Sequence, residues 1–238
     1  MPSYSASSIV NASNFTPGPF APNSVISIFG AGLARSTHAL ADSDLVRCAT
    51  SPGFCLPLEM NFVRVYVQDQ PAAMLFVSDG QINFVMPGIQ LPGVVRVRVV
   101  VEGLSGSEIP VTLADAAPAL FPLPNAYVIA TSADNKLLTS DAPAHANDYI
   151  VVYCTGLGQT DPNPALAVIP SAAAPMTAIA GLKVSLNGVT LDAVRIKYAG
   201  ITPGSAGLYQ INLVLPDGTG PDPEIRVWSG SQTPQTGL

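Results

Sequence analysis

Apolar and polar residues alternate along several short segments of the chain. The clearest is Val94–Val101, VVRVRVVV, in which alternate valines share one side and two arginines share the other. A period of two is that of an antiparallel β-strand with one buried face. The segment Glu224–Trp228, EIRVW, shows the same alternation near the end of the chain. Both segments are therefore predicted to be half-buried strands.

The chain contains an internal repeat. Gln81–Pro87, QINFVMP, recurs as QINLVLP at Gln210–Pro216, and every difference exchanges one apolar residue for another. Ile26–Leu33, ISIFGAGL, recurs as IVVYCTGL at Ile150–Leu157. Two matched segments in the same order and at nearly the same spacing indicate a duplicated structural unit.

A third matched pair lies between these two. Val63–Ala72 corresponds to Leu182–Leu191, and each segment has the pattern of a strand followed by a hairpin turn. Asn187-Gly188 is the strongest turn signal, because tight hairpin turns favour these residue types. The first copy is longer before this pair, in the stretch that holds Cys48 and Cys55. We therefore expect a loop insertion there, which costs little closure entropy at a surface.

The repeat and the strand pattern together predict the fold. Each half of the chain offers about seven short strands separated by turn signals, which is typical of a two-sheet sandwich. The predicted fold class is all-β, with two tandem immunoglobulin-like β-sandwich domains. The first domain is predicted to span residues 1–117 and the second residues 118–238. The segment Ala114–Ala126 joins them, and its prolines favour an extended, semi-rigid connection.

The two QIN strands also predict which side chains enter the cores. Alternation directs the apolar residues of each strand inward and the glutamine and asparagine outward. Tyr209 stands two residues before the inward-facing Ile211, where immunoglobulin-like folds place a corner tyrosine whose hydroxyl bonds to backbone. The first copy has Gly80 at this position. Tyr209 is therefore predicted to be a structural corner of the second domain only.

The three cysteines point to different roles. Cys48 and Cys55 bracket a turn-prone segment and are predicted to form a disulfide, which indicates an oxidising compartment. The alternative is two unpaired thiols in a cytosolic loop. Cys154 lies in an apolar strand, so a small buried residue is favoured over a reactive thiol.

Charge and composition exclude some classes of function. The net charge is −6 and the cations are scattered, whereas nucleic-acid binding needs a clustered positive surface. Charged residues are only 11% of the chain, which also holds 20 glycines and 23 prolines and is therefore turn-rich. No stretch approaches the roughly 20 apolar residues of a membrane helix, so no membrane span is predicted. The first residues lack signal-peptide features, although earlier removal of a leader or a longer secreted parent is compatible with them.

Several motifs resemble a known family. The segments are VNASNFTPGPFAPNSVISIFGAGLA (10–34), LFVSDGQINFVMP (75–87), VYCTGLG (152–158) and AGITPGSAGLYQINLVLP (199–216). In order and spacing they resemble the Solibacter-type uncharacterised C-terminal domain family of acidobacterial secreted proteins, over nearly the whole chain. The resemblance implies an extracytoplasmic tandem of immunoglobulin-like or similar sandwiches, and it implies no reaction.

The chain departs from the family pattern at two places. Cys154 replaces the glycine or alanine usual in the TGLG motif. The final segment Ser231–Leu238 loses the apolar alternation that its counterpart Ser107–Leu113 has, so the last strand is expected to be weak or incomplete.

No catalytic constellation stands out in the sequence. His38 and His145 lie in polar loop sequence at non-equivalent positions of the repeat, and both are interpreted as solvated residues. A Ser-His-Asp assembly stays a minor alternative, since no nucleophile-elbow motif accompanies either histidine. We predict no catalytic residue and no cofactor.

Two loops carry residue types that calcium binds. Asp134-Asn135 and Asp161-Pro162-Asn163 supply oxygen atoms of the kind that calcium prefers. Asx turns explain both loops more simply. No metal site is therefore predicted, and calcium stays an alternative.

One predicted sheet face carries three arginines. Arg64, Arg96 and Arg98 are expected to share an outward face of the first domain that would suit acidic glycans or a carboxylate. Such rows more often form a solvated face that discourages edge pairing. The binding residues stay unassigned.

These observations favour a non-enzymatic extracellular structural or adhesion module of a secreted or cell-surface bacterial protein. Its expected partners are a protein or a polysaccharide at the cell surface. One alternative is a self-assembling, filament- or matrix-forming subunit, in which a segment such as Ser3–Asn14 completes a neighbour's sheet by strand addition. A second alternative is an accessory carbohydrate-binding module, and an enzyme is the least favoured class.

Overall fold

Strands dominate the structure. The computed structural model describes residues 1–49, 51–230, 232 and 235. Within these residues every regular element is a β-strand or a three-residue 3-10 turn, and no helix has the length and apolarity needed to cross a membrane. The all-β fold predicted from the sequence is confirmed. The turns are η1 (Ala6–Ser8), η2 (Asp42–Asp44), η3 (Pro124–Ala126), η4 (Ile179–Gly181) and η5 (Ala193–Arg195).

The first half of the chain forms two main sheets and a small hairpin. Its strands are β1 (Ile9–Asn11), β2 (Val25–Phe29), β3 (His38–Ala39), β4 (Val46–Arg47), β5 (Phe54–Cys55), β6 (Val63–Val67), β7 (Gln70–Pro71), β8 (Ala73–Val77), β9 (Gln81–Val85), β10 (Gly93–Val101), β11 (Leu104–Ser105) and β12 (Ile109–Leu113). One sheet has the order β1-β2-β9-β8-β3, and the other has the order β11-β10-β6-β7 with β12 beside β10. The strands β4 and β5 pair with each other.

The second half repeats this plan, with fewer strands among the described residues. They are β13 (Ala119–Leu120), β14 (Ala130–Ser132), β15 (Tyr149–Thr155), β16 (Ala174–Pro175), β17 (Leu182–Leu186), β18 (Val189–Thr190), β19 (Ile196–Ile201), β20 (Tyr209–Val214) and β21 (Ile225–Ser229). One sheet has the order β13-β15-β20-β19-β16 with β14 also on β15, and the other has the order β18-β17-β21.

Each pair of sheets encloses its own hydrophobic core. The first core draws on residues up to Leu113 and the second on residues from Ala116 onward. Both QIN strands bury their apolar residues, as the alternation predicts. Representative core residues are Ile26, Val65, Phe84 and Val99 in the first half and Val152, Val184, Ile211 and Val227 in the second.

The two halves share one turn in detail. Two backbone hydrogen bonds close it in each half: Asn23 N to Met86 O (3.0 Å) and Met86 N to Ser24 O (2.9 Å), with counterparts Asn147 N to Leu215 O (3.1 Å) and Leu215 N to Asp148 O (3.0 Å). Asn23 and Asn147 both have positive φ, 61° and 69°, a conformation that asparagine tolerates better than most residues. The two asparagines lie 124 residues apart, and the same offset aligns the residues three positions before them. Phe20 therefore corresponds to Ala144.

The predicted loop insertion holds the junction between the halves. It forms the hairpin of β4 and β5, which the predicted disulfide Cys48–Cys55 closes. The hairpin continues into the second half, where Leu56 N donates to Ala167 O at 2.9 Å and Ile169 N donates to Phe54 O at 3.0 Å. A small apolar cluster fills the space beneath these bonds. Its members include Leu56, Ala73, Val85, Ala167, Ile169 and Ala206.

The expected weak final strand, Ser231–Leu238, lies outside the described residues apart from Gln232 and Gln235. Both of these side chains bond to the connecting segment: Gln232 Nε2 donates to Ala116 O, and Leu120 N donates to Gln235 Oε1 at 2.9 Å.

Candidate functional site

A cleft of about 420 Å³ opens between the two sheets of the second half. Strand β15 runs from Ile150, which lines the cleft, to Thr155, whose hydroxyl accepts a hydrogen bond of 3.0 Å from Val25 N of the first half. The cleft therefore lies at the end of the second sandwich that faces away from the junction. Strands β14, β15, β17 and β21 and the loops at this end contribute its walls.

The cleft exists partly because a small residue stands where the first half has a large one. Phe20 is 1% exposed and belongs to the first core. Its counterpart Ala144 lines the cleft. A phenylalanine ring fills far more volume than a methyl group, and a core closes over such a loss only in part. The second sandwich is thus open where the first is filled by a ring.

A second difference shortens one strand at the same place. In the first half, β10 begins at Gly93, and its first residues pair with β12, whose Val111 and Leu113 are buried. In the second half, β21 begins only at Ile225, and Pro221 and Pro223 stand in the loop before it. Proline has no N–H for a strand ladder, so this loop does not extend the sheet. The loop instead forms one lip of the cleft.

The walls of the cleft are mainly apolar. Val152, Leu215 and Ile225 are buried at its floor, and Tyr127 is 39% exposed at its rim. The polar groups lie around the mouth, in Asn125, Ser140 and Asp222 among others. Small-molecule and side-chain sites commonly combine such an apolar interior with a few polar groups at the edge. The arrangement can therefore receive an apolar group of about the size of an aromatic ring.

The buried hydroxyl of Tyr209 lies away from this cleft. It donates a hydrogen bond to the carbonyl of Gly158, and burial raises the pKa of the phenol. The bond joins β20 to the segment that follows β15, far along the chain. Corner tyrosines bond instead to backbone a few residues upstream. The partner of Tyr209 thus differs from that of a corner tyrosine, and the structural role of this residue stays a prediction.

Cys154 is fully buried in the second core, and burial raises the pKa of its thiol. A buried, protonated thiol is a poor nucleophile. The residue does not line the cleft and packs as a small apolar side chain, as its position in an apolar strand predicts.

Each histidine contacts a carboxylate of its own half of the chain. His38 lies in the short strand β3, where the sequence predicts a loop, and its Nε2 is 2.9 Å from Oδ2 of Asp44. His145 is in an exposed loop, and its Nδ1 is 3.6 Å from Oδ2 of Asp148. The hydrogen bond from His38 lowers the pKa of Asp44. Both contacts are local, within six residues of sequence.

The three arginines of the predicted face each lie against a carboxylate. Arg64 is 2.5 Å from Glu59, while Arg96 and Arg98 lie 3.4 Å and 3.6 Å from Glu108. The face is therefore largely neutralised by its own residues. It offers less to an anionic ligand than the sequence suggests.

The loop residues considered for calcium have other partners. Asn163 accepts a hydrogen bond of 2.9 Å from Asn23 and donates one of 3.1 Å to Gly88 O, across the junction. Asn135 N donates to Ser132 O in a tight turn. Among the described residues, no three His, Cys, Asp or Glu side chains group closely enough to hold a metal ion.

Comparison with known proteins supports the fold of the first half. Residues 10–114 match the family model of the IPT/TIG domain. This match supports an immunoglobulin-like fold, and it does not reach the second half, which contains the cleft. No curated protein matches the chain.

Three solved structures share a distant likeness. A surface glycan-binding protein from Prevotella bryantii is 14% identical, with 99% of this chain and 41% of that chain covered and a TM-score of 0.29. A Bacteroides ovatus glucan-utilization SGBP-B, in complex with a mixed-linkage heptasaccharide, is 10% identical, with coverages of 90% and 37% and a TM-score of 0.32. A gamma-CGTase from Alkalophilic bacillus clarkii is 10% identical, with coverages of 91% and 22% and a TM-score of 0.27. The chain spans less than half of each of these proteins, and the scores are too low to carry a function over.

Sequence reasoning did not find the cleft. Its signal is a difference between the two copies, Phe20 against Ala144, and not a motif that either copy carries alone. The prolines Pro221 and Pro223 near β21 are a second signal of the same kind, since they interrupt a strand that the first copy completes.

Proposed function

We propose that this chain is a non-enzymatic extracellular binding module, in which the second sandwich receives an aromatic or similar apolar side chain of a protein partner. The first sandwich and the junction hairpin serve to hold that sandwich in place. We also propose the division into domains at residues 1–117 and 118–238, which agrees with the separate ranges of the two cores.

One relationship carries the proposal: Ala144, which lines the cleft, aligns with Phe20, whose ring is buried in the first core. The first half therefore serves as a template for the ligand. A buried phenylalanine side chain contributes about 1.5–3 kcal/mol relative to an exposed one. A single ring in the cleft is thus expected to bind weakly, with a dissociation constant on the order of 1 mM or higher.

An extracellular location is supported by the Cys48–Cys55 disulfide, since such bonds persist in oxidising compartments. We also propose that the chain belongs to the acidobacterial secreted family that its motifs resemble, which would agree with this location. Among the described lining residues Tyr127 is the one aromatic side chain, and the floor is apolar, so the hydroxyl groups of a sugar ring would lose their hydrogen bonds to water there. The cleft therefore favours a protein side chain over a glycan.

The experiment uses N-acetyl-phenylalaninamide as a small ligand. Titration into isotope-labelled protein is expected to shift the amide resonances of Leu215 and Ile225 saturably. The variant Ala144→Phe supplies the ring internally and is expected to weaken binding at least roughly tenfold. Val189→Phe adds the same ring at an exposed position of β18, outside the cleft, and is the matched control. Absence of saturable shifts, or equal binding by Ala144→Phe and the native chain, would refute the proposal.

A further inference from the structure

We infer that the partner side chain is Phe62 of a second copy of this chain, so that copies join end to end. The inference rests on the proposed binding cleft and names its occupant. It follows from the contact that already joins the two halves, continued from one molecule to the next.

The junction within the chain is an end-to-end contact of two sandwiches. Gln159 Nε2 donates a hydrogen bond of 2.9 Å to Gly88 O across it. Val25 N donates to Thr155 Oγ1 nearby. One end of the first sandwich thus meets the opposite end of the second, as in any stack of repeated units.

The repeat identifies the two ends that this junction leaves open. At the cleft end of the second sandwich, Ala144 and Asp217 stand where the first sandwich has Phe20 and Gly88 at the junction. At the outer end of the first sandwich, Phe62 and Arg35 stand where the second sandwich has Gly181 and Gln159. The open ends are therefore the counterparts of the surfaces already in contact. The four aligned pairs follow from the matched segments LPD and MPG, LGQ and LAR, GLKV and FVRV, and from the shared turn.

The positions of the large and small residues differ between the junction ends and the open ends. At the junction end the cleft position of the first sandwich holds Phe20, and the residue of the second sandwich that aligns with Phe62 is Gly181. At the open ends the cleft position is empty beside Ala144, and the opposite end carries Phe62. Phe62 is 70% exposed, and its φ of 61° belongs to a tight turn in which Met60 and Val63 exchange backbone hydrogen bonds. The turn therefore presents the ring to solvent at the outer end of the first sandwich.

The charges change in a complementary way. Inside the chain the neutral Gln159 meets the carbonyl of Gly88. Between copies the corresponding residues are the cation Arg35 and the anion Asp217. The side chain of Arg35 is 76% exposed and reaches Glu102 at 2.8 Å, while Asp217 accepts a hydrogen bond from Asn147. Both charged groups lie at the surface, so a new ion pair between copies requires only side-chain movement.

The contact between copies cannot copy the junction in every detail. A side chain at Gly88 would collide with Asn23, whose counterpart Asn147 is instead covered by Asp217. The hairpin of β4 and β5 also belongs to the insertion in the first half, so a contact between copies has no counterpart of it. The inferred contact therefore depends on the ring in the cleft and on the Arg35–Asp217 pair. Each end presents a different surface, so the association is head-to-tail and produces open filaments, or rings where the rotation closes, instead of two-fold dimers.

This assembly differs from the strand addition considered from the sequence. The segment Ser3–Asn14 is not free to complete a neighbour, because Ile9–Asn11 already pairs with β2 and is buried in its own sandwich. End-to-end docking leaves both sandwiches intact. A contact centred on one ring is expected to be weak in solution and to strengthen where copies are concentrated on a surface.

Complementary variants test the inference. Phe62→Ser removes the ring and keeps the cleft, whereas Ala144→Phe fills the cleft and keeps the ring. By sedimentation velocity at high protein concentration, the native chain is expected to form a concentration-dependent ladder of species and each variant alone to remain monomeric. An equal mixture of the two is expected to form dimers and nothing larger, since only one end of each molecule remains competent. Val189→Ser, at another exposed apolar position, is expected to assemble like the native chain.

Charge reversal provides an independent check. Arg35→Glu and Asp217→Arg are each expected to weaken assembly severalfold, and the double variant is expected to restore it, at low salt above all. A mixture of Phe62→Ser and Ala144→Phe that stays monomeric, or single variants that assemble like the native chain, would overturn the inference. If N-acetyl-phenylalaninamide still binds in that case, the cleft stands and only its occupant is wrong. If it does not bind, the proposed function itself has failed.

Discussion

The side-chain amide of Asn23 donates a hydrogen bond of 2.9 Å to Oδ1 of Asn163, and the two residues belong to different sandwiches. Asn163 also donates to Gly88 O at 3.1 Å, so one side chain makes two bonds to the other half. Asn23 is 7% exposed, which keeps water from competing for its amide. Together with the hairpin that reaches Ala167 and Ile169, these bonds fix how the halves meet.

Asn163→Ala is expected to lower the free energy of unfolding by about 1 kcal/mol, because the amide of Asn23 loses its good partner. The carbonyl of Gly158, 3.5 Å away, is a poor substitute. Urea unfolding measures the loss. Small-angle scattering of the native state is expected to show a wider spread of shapes. Ser171→Ala, an exposed substitution near the same segment, serves as the control, and equal stability of the two variants would contradict the prediction.

Removal of the disulfide is expected to loosen the junction before either core. The Cys48–Cys55 bond closes a loop with a sequence separation of 7, so its loss destabilises the hairpin by about 2 kcal/mol in the chain-entropy view. The amides of Leu56 and Ile169, which bond across the junction, are therefore expected to exchange faster in Cys48→Ser/Cys55→Ser. Hydrogen exchange reports this directly, with amides of β20 as the internal reference. Unchanged protection at Leu56 and Ile169 would show that the hairpin docks without its disulfide.

The sequence predicts the strands well because each depends on local alternation. The QIN strands bury Ile82 and Ile211 as expected, and the alternate valines of β10, Val95, Val97 and Val99, face the first core. These outcomes need only a period of two and an apolar interior. The duplication is likewise visible, because both copies kept the same apolar positions.

The junction and the cleft escape prediction for a different reason. The bond between Leu56 and Ala167 joins residues that are far apart in sequence, and no local pattern marks either one. The cleft depends on what Ala144 lacks, and an alanine in a loop carries no signal until its counterpart Phe20 is known to be buried. His38 is predicted to lie in a loop because its sequence neighbours are polar, but it belongs to the edge strand β3. The pairing of β3 with β8 is a contact between distant segments, which local polarity does not reveal.

Tyr209→Phe tests the corner role predicted for this residue. The substitution keeps the buried ring and removes the hydroxyl that bonds to Gly158. The free energy of unfolding is expected to fall by about 1 kcal/mol. This is at the low end for a buried carbonyl that loses its partner, because the side-chain amide of Asn23 still lies within reach of Gly158 O. Thermal or urea unfolding measures the change. Tyr198→Phe is a useful comparison, since that hydroxyl also donates to backbone, at Ala174 O, but is only partly buried. If Tyr209→Phe left the free energy of unfolding unchanged, the buried ring alone, and not the hydroxyl, would have the structural role.

His38→Ala is expected to alter the pH dependence of stability through Asp44. The hydrogen bond from His38, with that from the Ala41 amide, holds the pKa of Asp44 below its ordinary value of 3.8. A carboxyl group whose pKa is lower in the folded state stabilises the fold above the unfolded-state pKa, and this contribution disappears as the pH falls through the folded-state pKa. Without His38 the pKa of Asp44 rises toward 3.8, so less stability is lost on acidification through this range. Carboxyl chemical shifts of Asp44 measure the pKa, and unfolding midpoints between neutral and acid pH measure the consequence.

His145→Ala is the matched control, because His145 contacts an exposed carboxylate at the longer distance of 3.6 Å. An Asp44 pKa that does not change in His38→Ala would mean that the Ala41 amide alone sets it.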